Sequence, residues 1–426
     1  VKTVLLRDVL LLDSSMESAR ACDLVICGSV IDSILPPRST KGPADFDGKG
    51  TVAVLPGFVN AHAHAAMTLL RGLGEEAPLM EWLRERIWPV EARLTPEQVF
   101  WGTRLALLEM VSSGVTCFAD MYFFMDQVAE AALQAGVRCA LSRGLVGADE
   151  EKIQEGIDLI RRYHNPSGLI SIQLGPHAIY TVPPGAFREI CRTAKDTGVG
   201  IHTHWLETEW EAEYIRQELK KDPVDLLTEV GLHEVPFAIL AHGVWFPEDR
   251  VRDLTGTRIS VVHNPNSNLK LGSGIAPVPA FLEKKVRVAL GTDGAASNNR
   301  LDVWDEMRTC SLLHKGIRRD PSIVRALEVL RMATVDGARA LGFENVGLLK
   351  PGWQADLVLV DLQKPHYVGT TPANLCASLV YSGSSADVAG TIVAGEWLYR
   401  EGVHLKLEEE TILRKAAACR KELLQE

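Results

Sequence analysis

The sequence predicts an α/β protein: a (β/α)8 barrel of the TIM type, with a small β-sandwich formed by the N- and C-terminal segments. Three observations predict it. A short apolar, β-branched run ending in a polar or ionisable residue occurs eight times, each followed by a stretch of helical composition. Seven of the twelve histidines fall just past the ends of those runs, where barrel active sites are built. Both chain ends read instead as short strands and turns, with too little strand at either end to bury a face alone. The rival, a doubly wound open sheet, lacks the G-x-G-x-x-G turn after its first strand.

Taken in order, residues 3–12, 23–30 and 34–35 are strands separated by turn signals at Asp13-Ser14-Ser15 and Cys27-Gly28. The eight barrel runs follow at 53–60, 115–119, 137–141, 169–174, 199–201, 237–241, 259–262 and 286–290. They lead into His62 and His64, Asp120, Arg143, His177, His202 and His204, His242, His263, and Asp293 respectively. Helical segments between them include 96–112, 125–135, 151–163, 184–195, 209–220 and 302–313. Strand language returns at 352–360 and 388–399, with turns at Lys350-Pro351-Gly352 and Ala394-Gly395, and 408–426 reads as a charged helix. The expected division is 1–55 and 346–402 for the two parts of the sandwich, 56–345 for the barrel, and 403–426 for a C-terminal helix.

Composition excludes several functions. With 426 residues, 46% apolar and 23% charged, the chain is long and apolar enough to bury a large core, and is neither disordered nor fibrous. Forty-five basic against 55 acidic side chains leave a net charge of −10, with no basic block, so nucleic acid is not an expected partner. The opening apolar stretch is broken by Lys2, Arg7 and Asp8, so neither a secretory leader nor a membrane span is expected. Eight scattered cysteines without a C-x-x-C pair fit reduced thiols in the cytoplasm.

Two His-x-His pairs carry the chemistry. Twelve histidines in this length give about 0.3 such pairs by chance; this chain has His62/His64 and His202/His204. On a strand, positions i and i+2 share a face, so two imidazoles can reach one ion. Together with His242 and Asp293, also at strand ends, they suit one divalent cation per chain with a position open for water. Zinc fits best, with iron, manganese or nickel as alternatives. Glu207, three residues past His204, is placed to hand a proton to a substrate, whereas Glu209, Glu211 and Glu213 read as the acidic opening of the next helix. Barrel hydrolases with two bridged metals use a modified lysine at the fourth strand; Ser171 to His177 contains none. His202 and His263 either support ligands or fill structural positions. Glu91 suits a ribose diol or else a helix-opening surface role, and Arg143 a polar part of the substrate or a pair with Glu91. Met67, Met80, Trp82 and Trp88 form an apolar wall for a thioether arm or simply core.

On these residues the sequence resembles the amidohydrolase superfamily, and more narrowly the methylthioadenosine/S-adenosylhomocysteine deaminases. The resemblance runs over nearly the whole chain, through 56–64, Thr68-Leu69-Leu70-Arg71-Gly72, Trp88-Pro89-Val90-Glu91, Gly175-Pro176-His177, 204–208 and 291–297. It implies that His62, His64, His204 and Asp293 bind the metal, and that Glu207, His242 and Asp293 are catalytic. It further implies that Glu91, Arg143, His177 and Glu207 contact the substrate. The implied reaction is hydrolytic deamination of 5′-methylthioadenosine, S-adenosylhomocysteine or adenosine to the inosine derivative and ammonia, by a homo-oligomer. Guanine-type free-base deaminases and triazine chlorohydrolases share much of this skeleton, and a non-catalytic scaffold is the reading from another class. Ile179 and Val182 depart from the family pattern around Tyr180-Thr181.

Overall fold

The computed structural model describes residues 2–425. Val1 and Glu426, which bound the opening segment and the terminal helix expected above, lie outside the described residues. Eight parallel strands form the barrel: Phe58–His64, Val115–Tyr122, Arg138–Leu145, Ile170–Pro176, Ile201–Trp205, Ala238–His242, Ile259–His263, and an eighth in two pieces, Arg287–Leu290 and Asp293–Gly294. The second piece pairs Asp293 with Ala63 and Gly294 with His64, which closes the ring onto the first strand. Gly291 makes this possible, because a Cβ there would meet Asn264 Oδ1 at 2.5 Å and the His62 amide nitrogen at 2.8 Å. Strands buried on both faces read as continuous apolar runs, as in Val115–Tyr122, where every residue is buried. The helices wrap them and are capped locally; Pro96–Ser112 starts from a Thr95/Gln98 capping box with proline in its first turn.

One strand boundary differs from the sequence reading. Residues 53–60 are not a single strand: Val52–Pro56 belongs to the terminal sheet and Phe58–His64 to the barrel, with the chain crossing over at Gly57. A Cβ at Gly57 would overlap Thr116 at 2.1 Å, so only glycine fits the crossing. The terminal segments form one continuous nine-stranded sheet rather than two separate layers. It curls around its own core, where Val4, Leu6 and Leu24 from the N-terminal part meet Leu357, Leu359 and Ile392 from the C-terminal part. The terminal helix, Glu409–Leu424, packs against Pro96–Ser112.

A buried ion pair ties barrel to sheet. Arg138 Nε and Nη2 donate to Asp356 Oδ2 and Oδ1 at 2.7 and 3.1 Å, and Ala394 N donates to the same carboxylate at 2.8 Å. Both side chains are 1% exposed. Removing one partner of such a pair strands a charge in a dry interior. Asp356→Ala is therefore expected to lower unfolding free energy by about 3–5 kcal/mol, read from the urea midpoint; a loss under about 1 kcal/mol would show that Arg138 finds another partner.

Candidate metal centre and active site

His62 and His64 close the first strand, His204 lies near the end of the fifth, and Asp293 opens the second piece of the eighth. Their hydrogen bonds leave lone pairs facing inward. His64 Nδ1 donates to the Met121 carbonyl at 2.6 Å and His204 Nδ1 to the His177 carbonyl at 2.8 Å, so in both rings the neutral tautomer leaves Nε2 without a proton. His62 Nδ1 lies 2.8 Å from His202 Nε2, and buried His62 Nε2 has no hydrogen-bond partner among the described residues. The Nε2 atoms of His64 and His204 are 3.4 Å apart, and Asp293 Oδ1 stands 3.2 Å from His64 Nε2 and 3.4 Å from His62 Nε2. Two lone pairs at that distance repel unless a cation separates them. Metal–ligand bonds of about 2.0–2.1 Å in a tetrahedron give donor–donor edges of about 3.3–3.4 Å, so these four residues could hold zinc with little rearrangement.

Asp293 is shaped for one direction of use. Ser267 and Ser297 donate to Oδ2 at 2.7 and 3.0 Å, which turns Oδ1 to the imidazoles. Burial works against its charge, but His62 and His64, as donors to Oδ1 when their rings are protonated, outweigh that and hold the carboxyl well below the usual range. It stays ionised.

Glu207 and His242 face each other across this centre, with His242 Nε2 3.8 Å from Glu207 Oε2. His242 Nδ1 donates to Asn268 Oδ1 at 2.8 Å, which leaves Nε2 as an acceptor aimed inward. Burial raises the Glu207 carboxyl above its ordinary value, so it keeps a proton to higher pH than a free glutamate. The turn that presents it is held by Glu211, whose Oε1 and Oε2 accept from Leu206 N and Glu207 N at 2.9 and 3.0 Å. Glu211 does lie in the acidic first turn of the next helix, which Thr208 caps, but it is also fully buried and serves this turn. Leu206, His242 and Asp293 all adopt left-handed backbone, with φ of 55°, 77° and 61°. Non-glycine residues are held there only where surrounding contacts over-determine them.

Beside this centre opens a cavity of about 1000 Å³ whose lining includes Met67, Trp82, Trp88, Glu91, Arg143 and His177. Glu91 Oε1 accepts from the Tyr122 hydroxyl at 2.7 Å, and its second oxygen is free of protein hydrogen bonds. Burial raises this carboxyl, and the tyrosine bond opposes the rise. Arg143 does not pair with Glu91; its Nε donates to Glu155 Oε2 at 2.6 Å and its guanidinium lies over Phe123. His177 Nδ1 lies 2.9 Å from Thr181 Oγ1, and burial pushes the imidazole down to about 3, so the ring is neutral. Met67, Trp82 and Trp88 line the cavity, whereas Met80 only packs against the core. Ile179 and Val182 are buried away from it, and Tyr180 and Thr181 take the lining positions.

Several contributors were not singled out from sequence. Asn268, Ser267 and Ser297 orient His242 and Asp293, and Tyr122 and Glu155 engage Glu91 and Arg143. The polar run Asn264-Pro265-Asn266-Ser267-Asn268 after the seventh strand was the available signal for the first two, and Ser297 closes the 291–297 stretch; Tyr122 and Glu155 carry none. His202 supports His62, whereas His263 does not join this centre.

Residues 53–398 match the amidohydrolase family. The chain belongs to that family. This amidohydrolase is 46% identical over 375 residues to a 5-methylthioadenosine/S-adenosylhomocysteine deaminase of Dictyoglomus thermophilum, covering 87% of each chain. It is 42% identical over 375 residues to a 5′-deoxyadenosine deaminase of Methanopyrus kandleri, covering 87% of this chain and 86% of that one. Among solved structures it resembles a zinc-bound adenosine deaminase from Xanthomonas campestris, with a TM-score of 0.91, 32% identity and 99% of both chains covered. Among the described residues, no helix of this amidohydrolase is long and apolar enough to cross a membrane.

Proposed function

We propose that this amidohydrolase is a metal-dependent hydrolytic deaminase of purine nucleosides. It replaces the exocyclic amine of 5′-methylthioadenosine, S-adenosylhomocysteine or adenosine by oxygen and releases ammonia. The observation that carries this reading is the convergence of four donor atoms beside the buried Glu207, at the side of a largely apolar cavity that also contains Glu91. His62, His64, His204 and Asp293 would hold the cation, zinc by preference of this donor set. When bound, zinc lowers the pKa of water to about 7, so that a nucleophile exists at neutral pH.

The remaining steps fall to the chain. Attack at purine C6 needs a proton on ring N1, and Glu207 is the group positioned to give it. His242 Nε2, fixed as an acceptor by Asn268, orients the attacking water and Asp293 takes its proton. Return of that proton from Asp293 to the departing amine, and passage of the remaining hydroxyl proton to Glu207, complete the balance: the nucleoside and water become the 6-oxo purine and ammonia, and both carboxyls regain their starting state. The free oxygen of Glu91 accepts from a ribose hydroxyl, while Met67, Trp82 and Trp88 suit the thioether arm. Arg143 and neutral His177 lie in the same wall and supply polar contacts to the substrate. Eight free cysteines support a reducing, cytoplasmic setting.

The test is loss of adenine absorbance, with ammonia release, on incubating zinc-loaded protein with each of the three nucleosides. Turnover is expected, and Glu91→Ala is expected to raise KM about 10- to 100-fold by removing a charge-assisted hydrogen bond. Turnover of guanine or a chlorotriazine alone, with Glu91→Ala silent, would overturn the nucleoside assignment.

A further inference from the structure

A second group of metal-ligating side chains lies outside the active site. His263 ends the seventh barrel strand, and its ring packs against His314 with centroids 5.4 Å apart. Cys310 and His314 stand one turn apart on the helix Val303–Arg318 and so share a face. One ligand atom from each of the three lies within 4.8 Å of the others, and all three residues are buried.

The group is unusual in what it leaves unanswered. Both ring nitrogens of His263, and Nε2 of His314, are buried without a hydrogen-bond partner among the described residues. A neutral imidazole always carries one N–H and one lone pair, so His263 alone presents an unmet donor and an unmet acceptor. His202, equally buried, has partners on both nitrogens in His62 and Ser142. Isolated core histidines are normally satisfied in that way.

We propose that His263, Cys310 and His314 form a second metal site, separate from the catalytic centre, that takes a soft monovalent cation of the Cu(I) class. The donor set supports the class: one thiolate and two imidazoles are soft to borderline ligands, and three donors suit the low coordination number of Cu(I). Charge decides between cations. A thiolate with a monovalent ion is neutral, whereas a divalent ion would leave a net positive charge in a dry site. Glu306, one turn before Cys310 on the same helix, is buried and pushed up to about 8 by that burial, so it brings little negative charge to offset a divalent ion. Binding breaks the Cys310 S–H bond, forms the sulfur–metal bond and releases one proton to solvent. Burial pushes the free thiol up, so it is protonated until the cation arrives, and it pushes His314 down to about 4, which keeps its lone pair available.

The experiment titrates zinc-loaded protein with Cu(I) in competition with a chromophoric Cu(I) chelator, comparing wild type with Cys310→Ser and His314→Gln. Wild type is expected to withdraw one more Cu(I) per chain than either variant, or to hold it at least about tenfold more tightly. The other seven cysteines are common to all three proteins, so the difference isolates this site. Copper-edge X-ray absorption of wild type is expected to show one sulfur and two imidazole nitrogens. Deamination rates of both variants are expected to stay within about twofold of wild type, since neither residue lines the catalytic cavity. If Cys310→Ser does not fold, the His314→Gln comparison decides alone. Equal copper uptake by the folded proteins would overturn the proposal, as would a second zinc ion held in preference to Cu(I).

Discussion

Glu207→Gln is expected to keep a full equivalent of metal and to lose about 10²- to 10⁴-fold in kcat, with KM for 5′-methylthioadenosine changed by less than about threefold. The amide has nearly the volume of the carboxyl, and Glu207 does not anchor its own turn: Glu211 does, through Leu206 N and Glu207 N. Geometry should therefore survive while the transferable proton is lost. Burial raises Glu207, so in the wild-type protein its acid form persists to higher pH than that of an exposed glutamate. The decisive pair of measurements is metal content and steady-state kinetics on the same preparation. Retained turnover would place the proton donor elsewhere, and joint loss of metal and activity would make Glu207 a support of the ion rather than an acid.

His204→Ala is expected to do the opposite, removing metal and turnover together. Its Nε2 is 3.4 Å from that of His64, and its Nδ1 is committed to the His177 carbonyl, so no other atom of the ring can substitute. Truncation leaves His62, His64 and Asp293, an incomplete set for a cation that prefers four donors. Elemental analysis should fall from about one zinc per chain to well under half, and activity at least about 10³-fold, since the charge that makes water a nucleophile is gone. The melting temperature should also lose its dependence on added zinc. A full equivalent of zinc in this variant would remove His204 from the ligand set.

Much of this site was legible before any coordinates. His62, His64, His204 and Asp293 stand out because strand ends are marked by where an apolar run stops, and a barrel gathers those ends on one face. Pairing was less legible. Arg143 and Glu91 are both charged and both line the cavity, yet Glu155 and Tyr122 take them as partners, and nothing in residue type distinguishes these neighbours from others. Glu211 was placed in the first turn of its helix, where it lies, but only packing shows that it is buried there and accepts from the Leu206–Glu207 turn.

The first strand shows where period-two reasoning ends. Val59 and Ala61 pack in the inner cluster with Cys117, Ala119 and Ala140, while Asn60 reaches Met110 and Thr292. Strict alternation would therefore turn His62 and His64 to the side of Asn60, away from the barrel axis. A shift of register between Asn60 and Ala63 reverses the parity and brings both rings inward.

Alternating composition thus determined the barrel, its order of strands and the chemical kinds of residue at each strand end, since these depend on local burial and on short-range spacing. The tertiary structure alone decided which nitrogen of each imidazole is free, which carboxyl is held below its ordinary value and which is raised above it. Those properties depend on desolvation and on partners far away in the chain, such as Ser267 and Ser297 on Asp293 or Asn268 on His242, whose effect appears only when the ring closes.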